Sequence, residues 1–170
     1  MKKLIAVAFG VFLSLTNFCN AQSTLKFGHI NSNELSAIMP EFKTADSLLS
    51  KFKFTLDSQL KTMGAEYQAK VSDYKSKEAS MADPIKEAKI KEITDLEDRI
   101  QAFQESAQNS IQKKQEELTG PAIKKAQDAI NEVAKEKGYS YIFDTVQGSV
   151  VYAQDSDNIL PLVKAKLGIK

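Results

Sequence analysis

Apolar side chains recur at steps of three and four residues along two long stretches of the chain. The first stripe runs through Phe42, Ala45, Leu49, Phe52, Leu56, Leu60, Met63, Tyr67, Val71 and Tyr74. The second runs through Ile93, Leu96, Ile100, Phe103, Ala107, Ile111 and Leu118, in steps of three and four as far as Ile111 and then of seven. Stripes this narrow predict helices that pair along a seam, as in a coiled coil, rather than helices lying broad-face-down on a globule. The prolines agree: 43 residues separate Pro40 from Pro84 and 36 separate Pro84 from Pro121, and a proline inside a helix costs about 3 kcal/mol. At ~1.5 Å per residue, 43 residues would reach about 65 Å. Met81-Ala82-Asp83-Pro84 predicts a tight turn, with Asp83 as N-cap and Pro84 at the first helical position. The two helices then fold back as an antiparallel hairpin over 45–120, with Pro121 opening a separate helix stopped by Gly138. Gly64, inside the first hairpin helix, costs it ~1 kcal/mol relative to Ala and is expected to be a local weak point.

The flanks read differently. Leu25–Ile30, Tyr139–Phe143 and Ser149–Ala153 are short strand candidates, the last preceded by a Gln147-Gly148 turn. A closing helix is expected from about Asp157 to Leu167, ended by Gly168. The predicted class is α+β, mostly α: a long helical hairpin projecting from a small β-containing body made of residues 22–44 and 121–170. No strand is stable alone, so the first must meet the last two in space. A body of 73 residues with a three-stranded sheet and no disulfide is marginal by itself. Several copies are therefore expected to pool their sheets into one core.

Residues 1–21 carry Lys2 and Lys3, an apolar run from Leu4 to Leu15, and Cys19-Asn20-Ala21. This is the pattern of a secretory signal peptide, with cleavage expected after Ala21 and export of the mature chain. These twelve positions, apolar but for Ser14, fall short of the ~20 that span a bilayer. Cys19 is an alternative lipidation site, although Phe18 stands where a small residue is wanted. The chain has one Cys and one His, which leaves little for a triad, a zinc site or a redox pair, so no catalytic residue, metal or cofactor is expected. Cleavage would leave 21 basic and 22 acidic side chains, with no surplus to hold nucleic acid.

The order of elements, and the wording around them, resembles the Skp/OmpH family of periplasmic chaperones. Lys26-Phe27-Gly28-His29-Ile30-Asn31, followed by Met39-Pro40-Glu41-Phe42-Lys43, looks like that family's opening strand and its entry into the first tentacle helix. Pro121-Ala122-Ile123 through Ala129-Ile130 and Val133-Ala134, then Lys137-Gly138-Tyr139 and Phe143-Asp144, looks like the return. Val150-Val151-Tyr152-Ala153, Asp157-Asn158-Ile159 and Leu167-Gly168 look like the last strand and closing helix. The resemblance implies a homotrimer with three tentacles around a cavity, in which unfolded outer-membrane proteins are held without ATP. The chain has no phosphate-cradling Gly-Lys-Ser/Thr motif, in keeping with that role. It departs from the strongly basic character of the best-known member: residues 45–120 carry 12 basic and 14 acidic side chains. Only the tip, 70–91, is basic, through Lys70, Lys75, Lys77, Lys86, Lys89 and Lys91, which is compatible with transient membrane contact there.

A holdase needs apolar contacts that are scattered rather than gathered into one patch. Phe54, Tyr74, Met81, Ile85 and Ile90 lie off the seam or near the tip and are the client-contact candidates; the competing role for each is to close the seam or to pack on a neighbouring copy. Phe27, Ile30, Tyr139, Tyr141, Phe143, Val151 and Tyr152 are expected to build the oligomeric body. His29 is expected to be a satisfied sheet or subunit-contact residue. Asp155-Ser156-Asp157-Asn158 is expected to cap a helix rather than bind calcium. The alternative function is a structural coiled-coil envelope adaptor for one specific partner.

Overall fold

The structure is a computed structural model that describes residues 25–148 and 150–169. The expected leader, with Cys19, lies outside the described residues, as does Ser149 of the third strand candidate. The element order is β1 (Phe27–Ile30), α1 (Ser32–Ile38), α2 (Pro40–Lys77), α3 (Asp83–Lys137), β2 (Tyr141–Asp144) and α4 (Leu160–Leu167). Single 3-10 turns occupy 78–80, 145–147 and 155–157.

The two strands pair in parallel, with Phe27 opposite Tyr141 and Ile30 opposite Asp144. Parallel neighbours require a crossover, and here the crossover is the whole helical arm. β1 runs straight into α1 because Asn31 caps the helix: its side-chain oxygen accepts the N–H groups of Asn33 (3.0 Å) and Glu34 (3.1 Å). The end of β2 is tied to the same point. The Asp144 carboxylate accepts the Ser32 N–H (3.2 Å), the Ser32 hydroxyl (2.5 Å) and the Val146 N–H (3.1 Å).

The body core gathers Ile30, Leu35, Met39, Ala129, Val133, Ile159 and Val163, with Tyr139, Ile142 and Ile130 packed against it. Met39, Ile159 and Val163 are fully buried. Gly28 is in this position because nothing larger fits: a Cβ there would stand 3.0 Å from both Ile159 Cγ2 and Tyr139 Cε1.

The arm is an antiparallel pair, α2 of 38 and α3 of 55 residues, about 57 and 82 Å long at ~1.5 Å per residue. Every stripe position read from the sequence is buried or half-buried. Ala45, Leu49, Leu96 and Ala122 are buried along the seam.

Four expectations change. Pro121 does not end a helix; α3 runs through it to Lys137. The proline penalty of about 3 kcal/mol is offset because the apolar stripe continues on both sides, from Leu118 through Ala122, Ala126 and Ala129 to Val133. At the tip, Ala82 rather than Asp83 is the N-cap of α3. The Ala82 carbonyl accepts the Ile85 and Lys86 N–H groups (2.9 and 3.1 Å), and the Asp83 carboxylate pairs with Lys86 at 3.5 Å. The third strand is not formed among the described residues: Val150–Ala153 is irregular, with Val151 98% and Tyr152 81% exposed. Part of the outer edge of β1 is taken instead by the following segment, through a bridge from His29 to Asn158 and the Ile159 N–H donated to the His29 carbonyl at 2.9 Å. Finally, α4 starts at Leu160 rather than Asp157, because Asn158 accepts the Leu160 N–H at 2.9 Å while 155–157 forms its own turn. Gly64 leaves α2 continuous.

Candidate interaction surfaces

Two surfaces carry exposed apolar groups: the outer face of the sheet and the arm. In a strand, alternate side chains face opposite sides. Gly28, Ile30 and Ile142 turn to the core, which leaves Phe27, Tyr141 and Phe143 on the outer face. These three rings form a cluster. Phe27 and Tyr141 stack at 5.9 Å between centroids, Tyr141 and Phe143 at 6.4 Å, and Phe27 lies tilted on Phe143 at 6.2 Å. Each ring remains about half exposed. A cleft of about 200 Å³ beside them is lined by Phe27, His29, Phe143, Val150, Tyr152 and Asp157. His29 is satisfied through Nε2, 3.0 Å from the Gln154 carbonyl, as expected of a sheet histidine.

Of the residues expected to build an oligomeric body, Phe27, Tyr141, Phe143, Val151 and Tyr152 are thus exposed on or next to this face. Ile30 is not; it is buried in the chain's own core at 3% exposure, because it is an inward-facing position of β1. Tyr139 is half-buried against the same core, with the Lys26 ammonium 4.1 Å from its ring centre.

On the arm, Phe54 is 71% exposed, and Ile85 and Ile90 are about half exposed. Met81 is half-buried at the turn. Tyr74 is also half-buried, and its hydroxyl donates to Glu78 at 3.1 Å; burial, followed by that carboxylate, pushes its pKa up. Tyr74 stands in the α2 stripe near the tip.

The sequence reading missed a groove in the seam itself. Between the two helices, Leu56, Leu60, Phe103, Ala107 and Ile111 line an opening of about 370 Å³, rimmed by Lys53, Asp57, Gln104 and Gln108. The signal was Ala107, a small residue where a large one would fill the space between the helices.

The tip lysines are largely engaged. Lys70 and Lys89 meet Glu92 (3.2 and 3.5 Å), Lys91 meets Asp95 (2.8 Å), Lys86 meets Asp83 (3.5 Å) and Lys77 meets Asp73. Among the described residues Lys75 is the one tip lysine without such a pair. Exposed pairs of this kind contribute little to stability because solvent screens them, but they leave little free positive charge. Nearer the body, Lys125 of α3 pairs with Glu41 in the first turn of α2. The Lys125 hydrogen bond holds the Glu41 carboxyl below its usual pKa, while the other oxygen, Oε2, is buried without a partner.

Among the described residues no cluster of His, Cys, Asp or Glu could hold a metal ion, and no helix is long and apolar enough to cross a membrane. The surfaces are those of a binding protein with a small parallel sheet and one long arm. A family model described as outer membrane protein (OmpH-like) matches residues 26–167, and the chain belongs to this family. A crystal structure from Caulobacter crescentus CB15, of a protein named as an OmpH-like outer membrane chaperone, shares the fold: TM-score 0.74, 14% identity and 86% of each chain covered. Among curated proteins none matches.

Proposed function

We propose that the protein is an ATP-independent holdase of the periplasm, and not an enzyme, that keeps unfolded outer-membrane proteins from aggregating. The observation that carries this reading is the distribution of exposed apolar groups: Leu48, Phe54, Ile85, Ile90, Ile123 and the mid-arm groove are spread along a long arm whose surface is otherwise largely polar and charged. A holdase lowers the free concentration of unfolded chain by binding it, and many weak contacts held together raise avidity without a single strong pocket. Membership of the OmpH-like family supports the same reading.

The body supplies the means of holding several arms together. The exposed Phe27–Tyr141–Phe143 cluster, with Val151 and Tyr152 beside it, is the kind of surface that copies of the chain cover for one another, and a homotrimer is the assembly proposed. The arms would then enclose a common space for the client. The unpaired segment Val150–Ala153 would complete its strand in that setting. With most tip lysines paired, transient membrane contact rests on Ile85 and Ile90 more than on charge.

The deciding experiment is light scattering of a urea-unfolded outer-membrane β-barrel protein diluted into buffer, with and without the protein and without nucleotide. Suppression near one oligomer per client is the expected result. No suppression by a folded oligomer would overturn the reading in favour of a structural coiled-coil adaptor with one specific partner.

A further inference from the structure

Resting on the holdase reading above, we propose that the middle of the arm binds the backbone of an extended, uncharged stretch of the client chain. One apolar side chain of the client enters the seam groove, and Gln104 and Gln108 bond the peptide groups beside it. Two independent observations meet at this level. The first is the groove itself, about 370 Å³ between Leu56 and Leu60 of α2 and Phe103, Ala107 and Ile111 of α3. Its volume lies at the low end of ligand sites, ~300–1,000 Å³, which suits a large side chain rather than a folded surface.

The second is a break in the charge of α3. From Lys89 to Ile100 seven of twelve residues are charged, and from Lys113 to Lys124 five of twelve. From Gln101 to Gln112 only Glu105 is charged, and seven residues carry amides or hydroxyls. Glu105 lines a different depression of α3, with Ala102 and Asn109. On the groove's α2 rim, Asp57 pairs with Lys61 at 2.8 Å. That leaves Lys53 as the rim's one charge without an ion pair among the described residues. Gln112 spends its amide on Glu116 at 3.4 Å. Gln104 and Gln108 are exposed, and no side-chain hydrogen bond engages either among the described residues.

A side-chain amide carries the donor and the acceptor of a peptide group. Gln104 and Gln108 therefore match what every residue of an unfolded chain presents, whatever its sequence. Desolvating a peptide group without a partner is costly, and a client that buries a side chain in the groove desolvates the peptide groups next to it. The spacing also fits. Gln104 and Gln108 stand ~6 Å apart along α3, at about 1.5 Å per residue. An extended chain repeats every ~6.6 Å over two residues, so alternate peptide groups meet successive amides. Main-chain bonds beside a pocket for one side chain are a general means of holding extended peptides.

The chain contains no Trp, so a Trp in a peptide reports its own burial. The probe is a short blocked peptide without charges, in which Leu and one central Trp alternate with Ser. It is titrated into the full chain and followed by the blue shift of its emission. A second peptide, N-methylated at the Ser residues, keeps the side chains and loses the backbone donors. N-methylation, and separately Gln104→Leu with Gln108→Leu, should each weaken binding about tenfold, the effect of two lost hydrogen bonds. Ala107→Leu, which fills the groove, should weaken it as well, and circular dichroism checks that each variant keeps its helices. No blue shift with the parent, equal binding of the N-methylated peptide, or equal or tighter binding by the double Leu variant (the result for a merely apolar groove) would each overturn the site. Laurate that displaces the peptide, and whose own binding Lys53→Met abolishes, would assign the groove to an apolar anion instead. The two readings fail separately. A protein that suppresses client aggregation but binds the peptide equally well as the double Leu variant loses the site alone. Peptide binding that depends on Gln104 and Gln108, without suppression of client aggregation, keeps the site and removes the holdase.

Discussion

Phe27 and Tyr141 face each other across paired parallel strands, their rings stacked with centroids 5.9 Å apart. They come from opposite ends of the arm, 114 positions apart, and the sheet brings them together. Both remain about half exposed. Stacked aromatics left open to water on a two-stranded sheet are the feature of the body that most demands a partner.

Replacing Tyr141 and Phe143 together by Ser should disrupt self-association. Two aromatic anchors at an interface are worth about 3 kcal/mol, or roughly a 100-fold rise in the concentration of half-dissociation. Analytical ultracentrifugation should show the shift while far-UV circular dichroism still reports the helical arm. An unchanged oligomer would move the interface elsewhere.

Gly28→Ala should destabilise the body by about 1–3 kcal/mol, the usual cost of forcing an extra methyl into a packed site. The methyl would meet Ile159 and Tyr139 at 3.0 Å. A urea titration measures the loss, and a neutral result would mean that the Tyr139 ring swings aside freely.

Gly64→Ala should do the reverse. Nothing lies within 4 Å of the added Cβ, so the helix gains about 1 kcal/mol of propensity with no clash. Thermal melting should shift upward; a lower melting temperature would show that the glycine serves a contact.

Asp144 makes stability depend on pH. Burial raises its pKa, but the Ser32 hydroxyl and the N–H groups of Val146 and Ser32 outweigh that and hold it below the ordinary aspartate value. A lowered folded-state pKa contributes stability that is present above the unfolded value of about 3.9 and is lost as pH falls through the folded one. Asp144→Asn should therefore be destabilising at pH 7, with the gap to the parent closing as pH is taken to 3. Urea midpoints at both values measure it, and a gap independent of pH would contradict the assignment.

Phe54→Ser, Met81→Ser and Ile85→Ser combined should weaken client holding by about tenfold, roughly 1.4 kcal/mol of lost apolar contact. The oligomer should stay intact. Unchanged suppression of client aggregation would shift the contacts to the mid-arm groove, where Ala107→Leu would then be the variant to measure.

The arm was legible in the sequence because its physics is local. A stripe at three- and four-residue spacing can be satisfied only by helices that pair, and Met81–Pro84 allows only a turn between them. Gly138 and Gly168, both at positive φ, end their helices as glycines near a helix end should. Other boundaries needed the tertiary structure. Pro121 reads as punctuation by propensity, yet the apolar stripe continues across it, and packing on both sides outweighs one missing hydrogen bond. Ser149–Ala153 has strand composition, but a strand forms only where an edge is free to receive it, and Asn158 and Ile159 reach the outer edge of β1 first. Ile30 and Tyr141 are both strand apolar residues; which faces the core and which faces solvent depends on strand register, fixed by contacts more than a hundred residues apart. The seam groove depends on how closely two helices approach, which no single stripe encodes. Local periodicity thus determined the elements and the arm, and long-range packing decided where they stop and which surfaces they leave open.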